Sequence, residues 1–94
     1  MEFDWDDANL QHISLHGIDP DEVEDVVLDE YACDFPAHRG PKGERRFGVL
    51  GKTLSERILL VILEERQTKF RVVTARVAKK KEVSLYDNAK QKYS

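Results

Sequence analysis

The chain has 94 residues and a single cysteine, Cys33, so it reads as one small domain, residues 1–94, with a modest core and no internal disulfide. A lone thiol fits a reducing, cytoplasmic setting; no apolar run approaches the roughly 18–20 residues of a membrane span, and the acidic start MEFDWDD lacks the basic charge of a secretion signal. The net charge of −3 conceals a segregation: residues 1–38 hold 12 of the 18 acids and no Lys or Arg, whereas residues 39–94 hold all 15 bases and the other 6 acids. Two readings follow, an anion-binding face backed by an acidic one, or acidic helices that neutralise a basic sheet by contact.

Phe3-Asp4-Trp5 alternates apolar and polar side chains and reads as a short extended start. Asp6 or Asp7 caps a helix that reaches about His16, where Gly17 closes it. Asp19-Pro20-Asp21-Glu22 opens a second helix, with Asp19 as N-cap, Pro20 at the first helical position and Glu22 placed to reach back to the cap. That helix ends near Asp29 or Glu30, which gives a helical hairpin over residues 6–30.

Strands are expected at Tyr31–Phe35, Arg45–Thr53, Arg57–Glu64 and Lys69–Val77, with a Pro- and Gly-rich loop at residues 36–43 and turns at 54–56 and 65–68. The third strand is apolar on both faces, which marks a central position. From Ala78 the period becomes helical: Ala78, Leu85, Tyr86, Ala89 and Tyr93 form a stripe with Glu82 in its middle, giving a helix over 78–93. The fold class is α+β: two amino-terminal helices, an antiparallel sheet of three to four main strands over residues 31–77, and a carboxy-terminal helix.

Strand positions hold Arg46, Arg71 and Arg76, and Lys79, Lys80 and Lys81 follow directly. Convergent guanidinium groups suit phosphate because a planar fork binds two oxygens at once; the bland alternative pairs each arginine with one of the many acids. Glu82 lies in an apolar stripe and therefore needs a cation, so it reads as a structural ion pair with Arg71 or Arg76, the minority reading being a catalytic base. Tyr86, one turn on, is either a core aromatic with a wet hydroxyl or a site residue. His16, just before the helix-ending Gly17, reads as a helix C-terminal dipole partner. His12 and His16 sit one turn apart, but without further converging ligands no metal site is expected, and no cofactor motif is present. Cys33 reads as a small buried apolar residue.

The chain resembles the BrnT-type toxins of bacterial type II toxin–antitoxin systems, within the wider RelE-like group. The likeness rests on Phe3-Asp4-Trp5-Asp6, Asn9 and His16-Gly17-Ile18 at the start, then Glu44, Arg46-Phe47, Gly51 and Glu65-Arg66, and finally Arg71 through Arg76, Ala78, Glu82 and Tyr86. His12, Thr74 and Lys79 depart from the family pattern, where lysine, serine and threonine are usual. The resemblance implies a compact fold with a curved antiparallel sheet and a metal-independent endoribonuclease that inhibits translation. Its partner would be a co-expressed antitoxin with a DNA-binding domain, in a hetero-oligomer that reaches operator DNA only through the antitoxin. On that basis Arg46, Arg71, Arg76, Tyr86 and His16 are candidate catalytic residues, and Lys79, Lys80 and Arg66 candidate RNA contacts. The alternative is a non-catalytic module that acts only as antitoxin partner and co-repressor.

Overall fold

A computed structural model describes residues 2–93, apart from the Tyr93 side chain, so the expected place of Tyr93 in the helical stripe lies outside the described residues. The elements run α1 (Asp7–Leu15), α2 (Pro20–Leu28), β1 (Cys33–Phe35), β2 (Arg46–Lys52), β3 (Ile58–Arg66), β4 (Lys69–Val77) and α3 (Lys80–Tyr93). The strands form one open antiparallel sheet in the order β1-β2-β3-β4. The α+β architecture expected from the sequence pattern is present.

Local chemistry explains the helix ends. Asp6 caps α1 by accepting the N–H of Asn9 at 2.8 Å. Gly17, at φ +71°, ends it: Gly17 N–H donates to Ser14 and Ile18 N–H to Ile13, which satisfies the last carbonyls and turns buried Ile18 into the core. In α2 the Asp19 N–H donates to the Glu22 carboxylate at 3.2 Å.

Several boundaries differ from expectation. α2 stops at Leu28 because the Asp29 carboxylate turns inward to accept the Tyr31 and Lys52 N–H groups. The same bond delays β1 from Tyr31 to Cys33. α3 starts at Lys80, because Ala78 N–H donates to Ile58 and so extends the sheet ladder rather than the helix. The β3–β4 turn shrinks to Gln67-Thr68, with Gln67 at φ +52°, and Glu65 and Arg66 join the strand.

Each sheet face has its own core. On one, Leu59, Val61, Leu63, Val72 and Ala75 are buried against Ile13 of α1, Ile18, and Val23 and Val26 of α2. α1 lies along β4, and α2 lies across β2 and β3. Gly51 lets α2 sit close, since a Cβ there would stand 2.5 Å from the Val26 carbonyl oxygen. Asn9 fixes α1 by donating to the Val72 carbonyl at 2.6 Å. On the opposite face Leu50, Leu60 and Tyr86 are buried together near one end of the sheet. Beyond that cluster the first turn of α3 borders Phe35 of β1, and Ile62 of the central strand and Phe35 remain partly exposed. The segment before α1 extends the β4 edge through a parallel bridge between Phe3 and Phe70.

Candidate functional site

The half-covered face takes its side chains in rows fixed by register. Arg46, Glu64 and Arg71 are cross-strand neighbours, as are Gly48, Ile62 and Thr74, and likewise Leu50, Leu60 and Arg76. Alternate residues of β2 and β3 share a face, and the register irregularity at Ile62/Leu63 restores the phase on β4 between Thr74 and Arg71, so all three rows point the same way.

At one end of this face, Glu64 is 2% exposed and holds two guanidinium groups. Arg46 donates through Nε to one carboxylate oxygen at 2.9 Å, and Arg66 through Nε to the other at 2.7 Å. Burial alone would raise the Glu64 pKa, but the bonds from Arg66 and Arg46 outweigh it and hold the carboxyl below its usual range. Binding through Nε leaves the terminal nitrogens of both forks without a protein partner among the described residues. One negative charge beneath two positive ones leaves the fork itself a net cation, while Lys42, Glu44 and Glu65 line the same pocket and balance its formal charge.

At the other end, Arg76 grips Glu82 with both terminal nitrogens, each at 2.8 Å. Glu82 also accepts the Lys79 N–H at 2.8 Å, which closes the first turn of α3. The Arg76 bonds are the main cause that holds the Glu82 carboxyl below its usual range, against its burial. Glu82 therefore meets Arg76, not Arg71. Lys79, Lys80 and Lys81 are exposed at the helix start, and among the described residues none is salt-bridged.

Arg71 turns to the sheet edge, where it meets Asp6 at 3.0 Å. His12 of α1 joins Thr74 of β4 at 3.1 Å, and His16 stacks edge-on against His12 with ring centroids 5.5 Å apart. His16 is exposed at the C-cap of α1, so the histidines stand at the α1–β4 seam. Among the described residues, no three His, Cys, Asp or Glu side chains converge to hold a metal ion. No helix among them is long and apolar enough to cross a membrane.

Tyr86 stands apart from the arginines. Its side chain is 1% exposed, and its hydroxyl donates to Asp29 at 2.5 Å. A neutral-pH base would need a lowered pKa and neighbouring cations. Here burial, with the Asp29 carboxylate second, pushes the phenol well above its ordinary value. Tyr86 thus forms a buried link between α3 and the end of α2. Asp29 would itself be raised by burial, but bonds from Tyr86, Lys52 and Tyr31 bring it below its usual range. Cys33 is only partly buried, and burial raises its thiol pKa.

Sequence reasoning missed Glu64 and Asp29. Strand parity offered a signal for the first: Leu60, Ile62 and Glu64 share a face, so an acid follows two inward apolar positions and must find a cation. Asp29 gave none, since its partners Lys52 and Tyr86 lie 23 and 57 residues away.

Comparison with known proteins adds a separate line. The family model described as ribonuclease toxin, BrnT, of type II toxin–antitoxin system matches residues 5–82. The crystal structure of the Brucella abortus ribonuclease toxin BrnT is similar at a TM-score of 0.63 and 25% identity, over 85% of this chain and 99% of that one. No curated protein matches the chain.

Proposed function

The chain belongs to the BrnT family of type II toxin–antitoxin systems, and from that premise we propose that it is a metal-independent endoribonuclease toxin, silenced by its antitoxin. Family membership gives it a toxin–antitoxin role and implies a cognate antitoxin. The observation that carries the catalytic reading is the Glu64 fork: two guanidinium groups, fixed from below by one buried carboxylate, with their terminal nitrogens free on an uncovered sheet face.

Cleavage without a metal needs three services. The 2′-hydroxyl must lose a proton as it attacks phosphorus in line, the crowded phosphorane must have its charge balanced, and the leaving 5′-oxygen must gain a proton. Arg46 and Arg66 serve the second, with donors already oriented and desolvated on one side; removing one such donor costs on the order of 10²–10³ in kcat. Arg71 and Arg76 add positive potential at the edges of the same face, and Lys79 and Lys80 hold flanking phosphates. Proton transfer falls to the His12–His16 pair, since imidazole is the side chain suited to it near neutral pH. Tyr86 is a structural residue in this scheme. A donor set whose carboxylates are already neutralised by guanidinium groups favours an anion over a divalent cation.

Induced expression tests the proposal. We expect arrested growth and translation, relieved by the antitoxin, and purified protein that cleaves RNA in excess EDTA to a 2′,3′-cyclic phosphate and a 5′-hydroxyl. Growth and translation that continue, with antitoxin binding intact, would make the chain a non-catalytic partner and co-repressor.

A further inference from the structure

We propose that the groove between Phe35 and the first turn of α3 is a nucleobase subsite, in which one unpaired base of a single-stranded RNA stacks on Phe35 while Lys79–Lys81 hold its phosphates. The inference rests on the ribonuclease reading and names how its substrate is held.

The groove is a cavity of about 470 Å³ lined by Phe35, Lys79, Lys80, Lys81, Glu82 and Leu85. Its floor is apolar. Leu85 is 50% exposed, and Phe35 is partly exposed on the three-residue strand β1. Register ties it to the arginines: Phe35 pairs with Gly48, and Gly48 with Ile62, so the aromatic ring belongs to the middle row of the open face. The Arg46 row and the Leu50–Arg76 row flank that row by two residues each, ~7 Å at the usual strand rise. An apolar strip thus runs between the row of Arg46 and the row that ends at Arg76.

Gly48 makes the strip continuous. A Cβ there would lie 2.7 Å from the Phe35 carbonyl oxygen, 3.1 Å from Phe35 Cβ and 3.3 Å from Ile62 Cδ1. Without a side chain at 48, Phe35 and Ile62 both pack close to the Gly48 backbone and are apolar neighbours in one row.

Charge decides the occupant. Glu82, the one carboxylate lining the groove, is buried and held by Arg76, so the exposed charge beside Phe35 is that of three unbridged lysines, whereas Arg46 and Arg66 share their pocket with Glu44 and Glu65. A ligand must bring a flat apolar surface flanked by negative charge on both sides. An unpaired nucleotide within an RNA strand has that form: its base stacks on aromatic rings without sequence readout, and its phosphates meet cations. An acidic helix of a partner protein has the charge but offers no planar ring to the floor.

The test measures binding of an uncleavable 2′-O-methyl single-stranded oligoribonucleotide across a salt series, by wild type, Phe35→Leu, Phe35→Ala, Phe35→Trp and Lys80→Ala. Phe35→Leu keeps apolar bulk against the core, so folding is preserved if Phe35→Ala loosens β1. We expect Phe35→Leu and Phe35→Ala to weaken binding about 5- to 150-fold with the salt slope unchanged, and Phe35→Trp to hold or improve it. Lys80→Ala should lower the slope by about 0.7, one single-strand phosphate contact. Wild-type binding matched by Phe35→Leu overturns the subsite and leaves the ribonuclease reading standing. Phe35→Leu that loses the antitoxin but keeps RNA assigns the groove to protein docking and also overturns it. A wild type that neither binds nor cleaves RNA overturns both.

Discussion

At the scale of single residues, the chain uses carboxylates to aim cations. Glu64 anchors Arg46 and Arg66 by Nε, and Glu82 takes both terminal nitrogens of Arg76. The two geometries differ in what they leave over: the first presents free forks, while the second consumes the fork and fixes the start of α3. Tyr86 and Asp29 form a third pair with no face toward the open sheet. Tyr86→Phe should therefore leave RNA cleavage at the wild-type rate. It should lower stability by about 1.5–3 kcal/mol, the usual worth of a hydrogen bond to a charged group. Urea denaturation beside a cleavage assay checks both; lost cleavage at unchanged stability would return Tyr86 to the chemistry.

At the scale of elements, glycine positions control how closely layers meet. Gly51 leaves room for the Val26 carbonyl, so Gly51→Ala should lift α2 from β2 and cost about 1–3 kcal/mol of overpacking, read as a lower thermal midpoint. An unchanged midpoint would mean that α2 packs more loosely. The elements legible in the sequence were those set by neighbours in the chain: the Asp19-Pro20-Glu22 helix start, the Gly17 stop, and the apolar central strand. Tyr31 leaves β1 because its N–H bonds the Asp29 carboxylate two residues back, a local turn, and Ala78 leaves the helix because its N–H bonds the Ile58 carbonyl across the sheet. The site divides the same way. Arginines on strands could be read from pattern alone. Glu64 needed the strand register to bring it opposite Arg46, and the Asp29–Tyr86 bond had no local signature.

At the scale of the whole molecule, the acidic and basic halves meet in part through ion pairs such as Arg57–Glu22 and Arg71–Asp6, while the open face keeps unbridged cations. The buried carboxylates also set a pH limit. Glu64, Glu82 and Asp29 all have folded-state pKa values below their ordinary ones, so at low pH the unfolded chain binds more protons than the folded one. Their stabilisation is full above the unfolded values, about 4, and is lost as pH falls through the folded values. Urea midpoints should thus hold from neutral pH to about pH 5 and fall below it. Glu64→Gln should lower stability at neutral pH by about 2–3 kcal/mol, less than a fully buried pair because Arg46 and Arg66 keep some solvent, read as a lower urea midpoint, and should flatten the acid limb. Parallel curves for the two proteins would show that Glu64 does not carry this dependence.

The claim on which the rest depends is that guanidinium groups anchored by Glu64 perform the cleavage. Single-turnover RNA cleavage in excess EDTA, by wild type and by the Arg46→Ala, Arg66→Ala double variant, addresses it most directly. Antitoxin binding should be confirmed in both proteins. We expect the wild type to cleave and the double variant to lose at least about 10²-fold in rate while still folded and bound by antitoxin. Equal rates in the two proteins, or cleavage that EDTA abolishes, would contradict it.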